Sequence, residues 1–418
     1  MAVVTDAGAS DARVIGVLGA GHFFSHFYLL CLPPLFPAMR GEFGVSFAAL
    51  GFMMTSYNLI GGLIQAPMGF LIDRFGARWI LIAGVVLMSG SVLLMGFTES
   101  YEAILILAVL AGLGNSVIHP ADYAVMSGAI SEGRLGRAFS LHTFSGEFGG
   151  AFAPVVMGSL AAMWDWRSAL MAAGAAGLVV AAIMASQSRL LVDDTGGTRA
   201  DAAADGKVQA TGVKLLMSPA MLLFFAFFVA ISLAGGGMQS FAITSLIQTQ
   251  DITIAGATMA LTVFLFSSSI GVLLGGPIAD RVKRQEMTMM IAVAVAAGFI
   301  ILPAFMDLSI TLLFGILAIA GLAQGVTRPA RDMMVRAATP PGQSGKVFGF
   351  VSVGLSIGSS VAPPLFGWIV DQGAPRMVFV LTSAFMLLML ATALAGHFTA
   401  RSAASRHRQD AARSGPCR

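Results

Sequence analysis

Long apolar stretches alternate with short polar ones along nearly the whole of this 418-residue chain. Twelve stretches are long enough to cross a bilayer, at about 20 apolar residues per spanning helix. They lie at 14–39, 46–71, 79–98, 102–129, 138–163, 168–188, 219–247, 254–279, 287–306, 310–337, 347–370 and 376–398. One polar interruption is much longer than the rest, RLLVDDTGGTRADAAADGKVQATGVKLLMS at 189–218. Its small, polar and charged residues predict a flexible linker dividing six helices from six. The pattern predicts an all-α membrane protein with twelve transmembrane helices in two six-helix bundles, 1–188 and 219–399. A tail at 400–418 is expected to be disordered.

Composition supports that reading. The chain is 57% hydrophobic and 11% charged, against about a quarter charged in soluble domains, so lipid is the solvent for most of its surface. The net charge of +3 does not point to nucleic acid, because the basic residues are sorted by side. With both termini in the cytoplasm, Arg74, Arg78, Arg134, Arg137, Arg281, Lys283, Arg284 and Lys346 fall on cytoplasmic segments. Only Arg40, Arg167 and Arg376 fall outside, and Arg328 and Arg331 sit within the tenth span. Trp164, Trp166 and Trp368 then mark the outer interface and Trp79 the inner one. This orientation suits a plasma or inner membrane. The N-terminal MAVVTDAGASDAR lacks a basic region and no cleavage site follows, so no signal peptide is expected. Two cysteines, Cys31 and Cys417, exclude a disulfide framework. Arg401, Arg406, Arg408 and Arg413 suit either a solvated end or contact with anionic lipid headgroups.

The two halves repeat. GFLIDRFGAR at 69–78 is echoed by GPIADRVKRQ at 276–285. A gapless match at an offset of 209 residues pairs Gly112 with Gly321, Pro120 with Pro329, Gly136 with Gly345, Pro154 with Pro363, and Gly158 with Gly367. Six-helix repeats of the same orientation are a transporter plan, with substrate held near the midplane between them. Gly69-x-Leu71-x-Asp73-Arg74-x-Gly76-x-Arg78 resembles the loop 2–3 signature of the major facilitator superfamily, and Gly276-x-x-Ala279-Asp280-Arg281 resembles its second-half echo. Ser116-Val117-Ile118-His119-Pro120, Gly133-Arg134-x-Gly136 and Gly146-x-Phe148-Gly149 resemble the fosmidomycin-resistance exporters within it. The resemblance implies that helices 1, 4, 7 and 10 line a central path. It also implies that Gly69, Asp73, Arg74, Gly76, Arg78, Asp280 and Arg281 act as a gating clamp between helix ends. There are departures. Ala77 replaces a usual basic residue, Ala108 stands where proton-driven members carry an arginine, and alanine precedes Pro154 and Pro363 in a degenerate antiporter motif.

The chemistry-bearing residues concentrate in the spans. NSVIHPADYAV at 115–125 is copied as QGVTRPARDMM at 324–334, with His119 matching Arg328 and Asp122 matching Arg331. Each pair is spaced i, i+3 and shares a helix face. An ionised group at mid-membrane costs about 2.5–3.5 kcal/mol, so two arginines call for an anion, from Asp122, from Glu147 or from a solute. His22, His26, His119 and His142 all lie in the first half, and histidine titrates near physiological pH. Glu147, isolated within the fifth span, is read as a proton carrier with these histidines and Asp122. Arg328, Arg331, Tyr28, Asn58, Asn115, Gln239 and Gln324 are read as solute contacts. Alternatives stay open: His22 and His26 as packing residues, and His119, Asp122, Arg328 and Arg331 as a salt-bridge latch. Pro33, Pro34 and Pro37 in helix 1, and Gly235-Gly236-Gly237 in helix 7, predict interruptions in both.

These features predict a secondary transporter that exports a small organic solute, anionic or drug-like, in exchange for protons, with uptake by proton symport as the alternative. No nucleotide-binding or nucleophile motif appears, so neither an enzyme nor an ATP-driven pump is expected. No cofactor and no bound metal is expected, although His22, His26, Asp122 and Glu147 leave a divalent-metal transporter as an alternative. A solute sensor lacks an output domain. The expected partners are the small solute, protons and membrane lipids, around a monomer.

Overall fold

The computed structural model describes residues 3–193, 215–282, 284–339 and 344–413. The helices in chain order are α1 (Val3–Leu30), α2 (Phe47–Phe75), α3 (Ala77–Met95), α4 in two pieces (Tyr101–Asn115 and Ile118–Ala129), α5 (Glu132–Met163) and α6 (Trp166–Ser186). In the second half they are α7 (Pro219–Thr249), α8 (Ile254–Arg281), α9 (Gln285–Ile300), α10 (Ile310–Ala338), α11 (Ser344–Asp371) and α12 (Met377–Arg413). Their starts are written in the sequence. Ser46, Ser100, Asp165, Thr253 and Ser309 each accept a hydrogen bond from a backbone N–H three residues on, satisfying one of the orphan donors of a first turn. At Asp165, the backbone N–H and then the hydroxyl of Ser168 hold the carboxyl below the ordinary range.

Among the described residues, eleven segments are long and apolar enough to span a membrane. The fifth predicted run is absent from that set. It forms the 32-residue helix α5, but Glu147, His142 and its many glycines and serines dilute its hydropathy. Phe70, Phe75, Leu63 and Trp79 are more than 60% exposed, which water would penalise and lipid does not. Trp164 and Trp368 are likewise exposed. Trp166, in contrast, is buried, with Nε1 donating to Glu42 at 2.7 Å.

Prolines and glycines decide where spans break. After Leu30, Pro33 and Pro34 bring in a short 3-10 turn, and the chain resumes as a helix at Phe36–Phe43. α4 breaks at Ser116–Val117, because the ring of Pro120 removes a donor and crowds the carbonyl four residues back. Its copy Pro329 leaves α10 continuous, held against α8, where Gly275 brings its backbone to the proline ring. Gly235-Gly236-Gly237 does not interrupt α7, contrary to the sequence expectation. A Cβ on Gly236 would meet that of Ala362 at 2.5 Å, and one on Gly237 would meet the Phe366 ring at 2.3 Å. These glycines let α11 approach rather than bend α7. The stretch 400–413, expected to be disordered, continues α12 as helix; its Ala and Arg residues are strong helix formers. Residues 194–214 of the linker lie outside the described residues.

The pseudo-symmetry extends to atomic contacts. A Cβ on Gly112 would meet the Tyr57 carbonyl oxygen at 2.5 Å, and one on Gly321 would meet that of Phe264 at 2.1 Å. Gly149 against Phe23 is matched by Gly358 against Val229. Small residues replace hydrophobic drive as the basis of helix association in lipid. Phe241, Ala362, Phe366 and Val370 of the second half join the first-half core, so the halves merge at one end. There a Cβ on Gly51 would lie 2.4 Å from the Pro363 carbonyl oxygen, and Thr55 Oγ1 donates to the Ser360 carbonyl at 2.5 Å. The Asp371 carboxylate accepts from the Phe47 and Ala48 N–H groups at 2.9 Å each. An acid at the end of its own helix is unfavourably placed, but here it caps the positive N-terminus of α2. Its ion pair with Arg40 is long at 3.9 Å and half-exposed, so the cap is the stronger contact.

Replacing the cap by Asp371→Ala should cost about 1–2 kcal/mol at this end. We expect a lower melting temperature and a longer distance between spin labels at Gly41 and Gln372; an unchanged distance would remove the cap from the closure.

Candidate functional site

A cavity of about 370 Å³ lies between the halves, walled by α1 and α2 on one side and by α7, α10 and α11 on the other. His26, Asn58, Gln239, Gln324, Arg328 and Arg331 face it. Two guanidiniums therefore enter one chamber, and among its described lining residues none is a carboxylate. The i, i+3 spacing on α10 brings the arginines to one face, as the sequence predicted. Gln239 reaches the chamber because Gly235 and Gly236, one turn earlier, leave the space open beside it. Arg331 also lies over the Phe228 ring, 5.2 Å from its centroid, a contact that steadies a cation in a poorly hydrated place.

Glu147 is not the isolated carboxylate that its position in the sequence suggested. It receives a hydrogen bond from Arg328 Nη1 in an ion pair joining α5 of the first half to α10 of the second. It also borders a second space of about 360 Å³ between α5 and α8, beside Phe144, Ser269 and Gly276. Glu147 thus stands between a chamber that its partner lines and a lateral crevice that it lines itself.

The histidines form one group within the first half. His142 Nε2 lies 2.7 Å from Asp122 Oδ2, with both side chains buried. Asp122 is therefore paired with His142 and not with His119 one turn away or with Arg331, so the Asp122–Arg331 latch is not formed. The His142 ring stacks on His22 at 3.8 Å between centroids, and the His142 carbonyl accepts from His22 Nδ1 at 2.7 Å. His26 and His119 pack edge-on against His22 at 4.7 and 5.2 Å. Space for this group comes from Gly146, where a Cβ would sit 2.5 Å from His22 Cε1.

Two of the expected solute contacts lie elsewhere. Tyr28 is buried inside the first half and donates to the Ala173 carbonyl at 3.0 Å. Asn115 ends the first piece of α4 and lies beside Gly61 of α2, away from the chamber. The sequence reading missed Thr327, Ser232 and Ser359, which add hydroxyl groups to the chamber wall. Thr327 was visible beside Arg328, but nothing in a single sequence separates it from a packing threonine. Asp371 was missed too; an acid at the C-terminal end of a helix was the available signal.

A family model described as Major Facilitator Superfamily matches residues 18–249 and 225–416. The chain belongs to the Major Facilitator Superfamily. As a superfamily member it is a multi-pass membrane transporter and not an enzyme. The Fosmidomycin resistance protein of Escherichia coli is 25% identical over 390 residues, covering 91% of each chain. An uncharacterised MFS-type transporter of Bacillus subtilis is 23% identical over 383 residues, covering 89% of this chain and 90% of its own. A bacterial homologue of the human lysosomal transporter Spinster, crystallised in an inward-facing and occupied conformation, superposes with a TM-score of 0.73 over 94% of this chain and 97% of its own, at 17% identity.

The superfamily signature can now be placed. Gly76 has φ of +86°, a conformation open to glycine, and it lets the chain turn from α2 directly into α3. The Ala77 N–H donates to the Asp193 carboxylate, and Arg78 Nε donates to the Leu191 carbonyl at 3.1 Å. The signature is thus tied to the residues that open the linker. Gly69 faces open space. Asp73, Arg74 and Arg281 are exposed, and among the described residues they form no ion pair; the Asp280 side chain lies outside the described residues.

The exporter-like Gly146-x-Phe148-Gly149 stretch is an α1–α5 packing device. A Cβ on Gly149 would lie 2.1 Å from the Phe23 carbonyl oxygen, whereas one on Gly150 would meet nothing nearer than Leu30 Cδ1 at 3.5 Å. Gly149→Ala should therefore destabilise by about 1–3 kcal/mol, while Gly150→Ala should be neutral or gain up to about 1 kcal/mol from helix propensity. Melting of the two variants in detergent checks the contrast.

Proposed function

We propose that this superfamily member moves a small organic anion across the membrane by alternating access, in the direction of export, with transport coupled to protonation of Glu147. The observation that carries the reading is the chamber between the halves, which Arg328 and Arg331 line together from one face of α10. A guanidinium offers paired donors to a carboxylate or phosphate-like group, and Asn58, Gln239 and Gln324 surround it with neutral hydrogen-bonding groups. Export is supported by the name of the Escherichia coli relative, a resistance protein aligned over 91% of both chains.

Coupling follows from a shared residue. Arg328 is held by Glu147 across the halves, and an anion arriving in the chamber competes for the same guanidinium. Protonating Glu147 frees Arg328 for the solute; binding the solute leaves Glu147 without its partner and favours its protonation. The two ligands help each other, with couplings of such linked sites typically about 5- to 150-fold. This sign favours a second reading, uptake of an organic anion together with a proton. Export by antiport then requires that the doubly loaded form not switch.

In proteoliposomes, Glu147→Gln should abolish accumulation driven by a pH gradient while leaving solute exchange, with fosmidomycin and simple carboxylates as probes. Wild-type affinity for an anionic solute should rise about 5-fold or more from alkaline to mildly acid pH, and the variant should lose that dependence. Arg328→Ala should weaken anion binding by about 30-fold or more, the usual scale for a desolvated charge partner. Equal binding of anions and neutral analogues by both proteins would overturn the reading. Accumulation against an inward or an outward proton gradient separates uptake from export.

A further inference from the structure

Three imidazoles of the histidine group are arranged for a task that the chamber does not require. His22, His26 and His119 each present one ring nitrogen, and these atoms lie within 4.8 Å of one another. Backbone geometry fixes the chemical state of the first. A carbonyl oxygen only accepts, so the 2.7 Å contact between His22 Nδ1 and the His142 carbonyl makes Nδ1 the donor. Nε2 then carries the lone pair, and it is buried without a hydrogen-bond partner. His119 Nδ1 is also buried and unpartnered. Two such atoms in one cluster contradict the ordinary rule that buried polar groups are satisfied, and an ion is one of the few things that answers it.

We propose that His22, His26 and His119 bind one divalent cation of the borderline class typified by zinc. Neutral imidazole is a preferred ligand of such ions, and three protein ligands with an open fourth position are a familiar arrangement. The contact from His22 to the His142 carbonyl is the outer hydrogen bond that orients a ligating histidine and sets its tautomer. His26 also borders the chamber, where Arg328 is held by Glu147. Carboxyl groups stand on both flanks: Asp122 beyond the stacked His142 ring, and Glu147 in its pair with Arg328. Bonds of about 2.0–2.1 Å put tetrahedral nitrogens about 3.3 Å apart, so the rings close on the ion by an ångström or more. Neither Asp122 nor Glu147 is a ligand, since each already has a partner in His142 or Arg328. The ion would tie α1 to the second piece of α4 just beyond its break. The site rests on the first-half histidines alone, independently of anion binding by the arginines.

The test uses full-length protein purified without a histidine tag and stripped with a chelator. Titration with Zn2+ should give about one ion per chain and a raised melting temperature. Co2+ should give the intense visible absorption of a four-coordinate site. His119→Gln and His26→Gln should each weaken binding by about 10- to 100-fold, the scale seen when even outer-shell support of a metal site is lost, and abolish the Co2+ spectrum. His22→Gln removes the bond to His142 and is read only if its melting in the absence of metal matches wild type. A double change of His397 and His407, neither of them a proposed ligand, should leave binding intact. No stoichiometric binding by wild type, or binding unchanged in the His26→Gln/His119→Gln double variant, would overturn the proposal.

Discussion

An ionised side chain inside a bilayer must meet an opposite charge or lose its own, and the rest of this protein's interior is arranged around that requirement. α10 carries two arginines one turn apart, and α5 carries Glu147 midway along its length; the contact between Glu147 and Arg328 is therefore both an electrostatic necessity and a bridge between halves. Breaking such a pair by removing one partner ordinarily costs several kcal/mol. Anything that takes over one member's role, a proton on the acid or an anion on the base, changes how firmly the two bundles hold each other near the chamber.

The fold was legible because lipid enforces a coarse code. Span length, sidedness of basic residues and the duplicated GFLIDRFGAR and GPIADRVKRQ segments all follow from constraints that act on single residues or short windows. The chamber was partly legible for the same reason: residues spaced i, i+3 on α10 share a face wherever that helix packs. What could not be read were the pairings. Glu147 and Arg328 are 181 positions apart, and Asp122 and His142 are 20 apart on different helices. Composition marked these groups as costly and gave no indication of which would meet. Gly235-Gly236-Gly237 misled for a related reason, since glycine serves equally to loosen a helix and to admit a neighbour, and only the neighbour, here Ala362 and Phe366, tells the two apart.

The repeat is kept in its packing and abandoned in its chemistry. Gly112 and Gly321, and Gly149 and Gly358, bring equivalent backbones together in both halves. Against that shared frame, the first half gathers histidines and buried acid, and the second holds the arginines. Pro120 breaks its helix while Pro329 does not, so the two copies of the same motif differ in backbone as well as in charge. Duplication supplied a symmetric scaffold, and divergence at a few positions turned it into two unlike walls.

The crowded seam between α2 and α11 also has a mechanical meaning. Gly51 and Gly367 let backbone meet backbone of the opposite helix there, which makes this end of the seam a fulcrum rather than a cushion. Arg74 lies 23 residues from Gly51 along α2, a lever of about 35 Å at 1.5 Å per residue, so a tilt of only about 10° at the fulcrum swings the far end by about 6 Å. Close contact at one end thus becomes amplitude at the other.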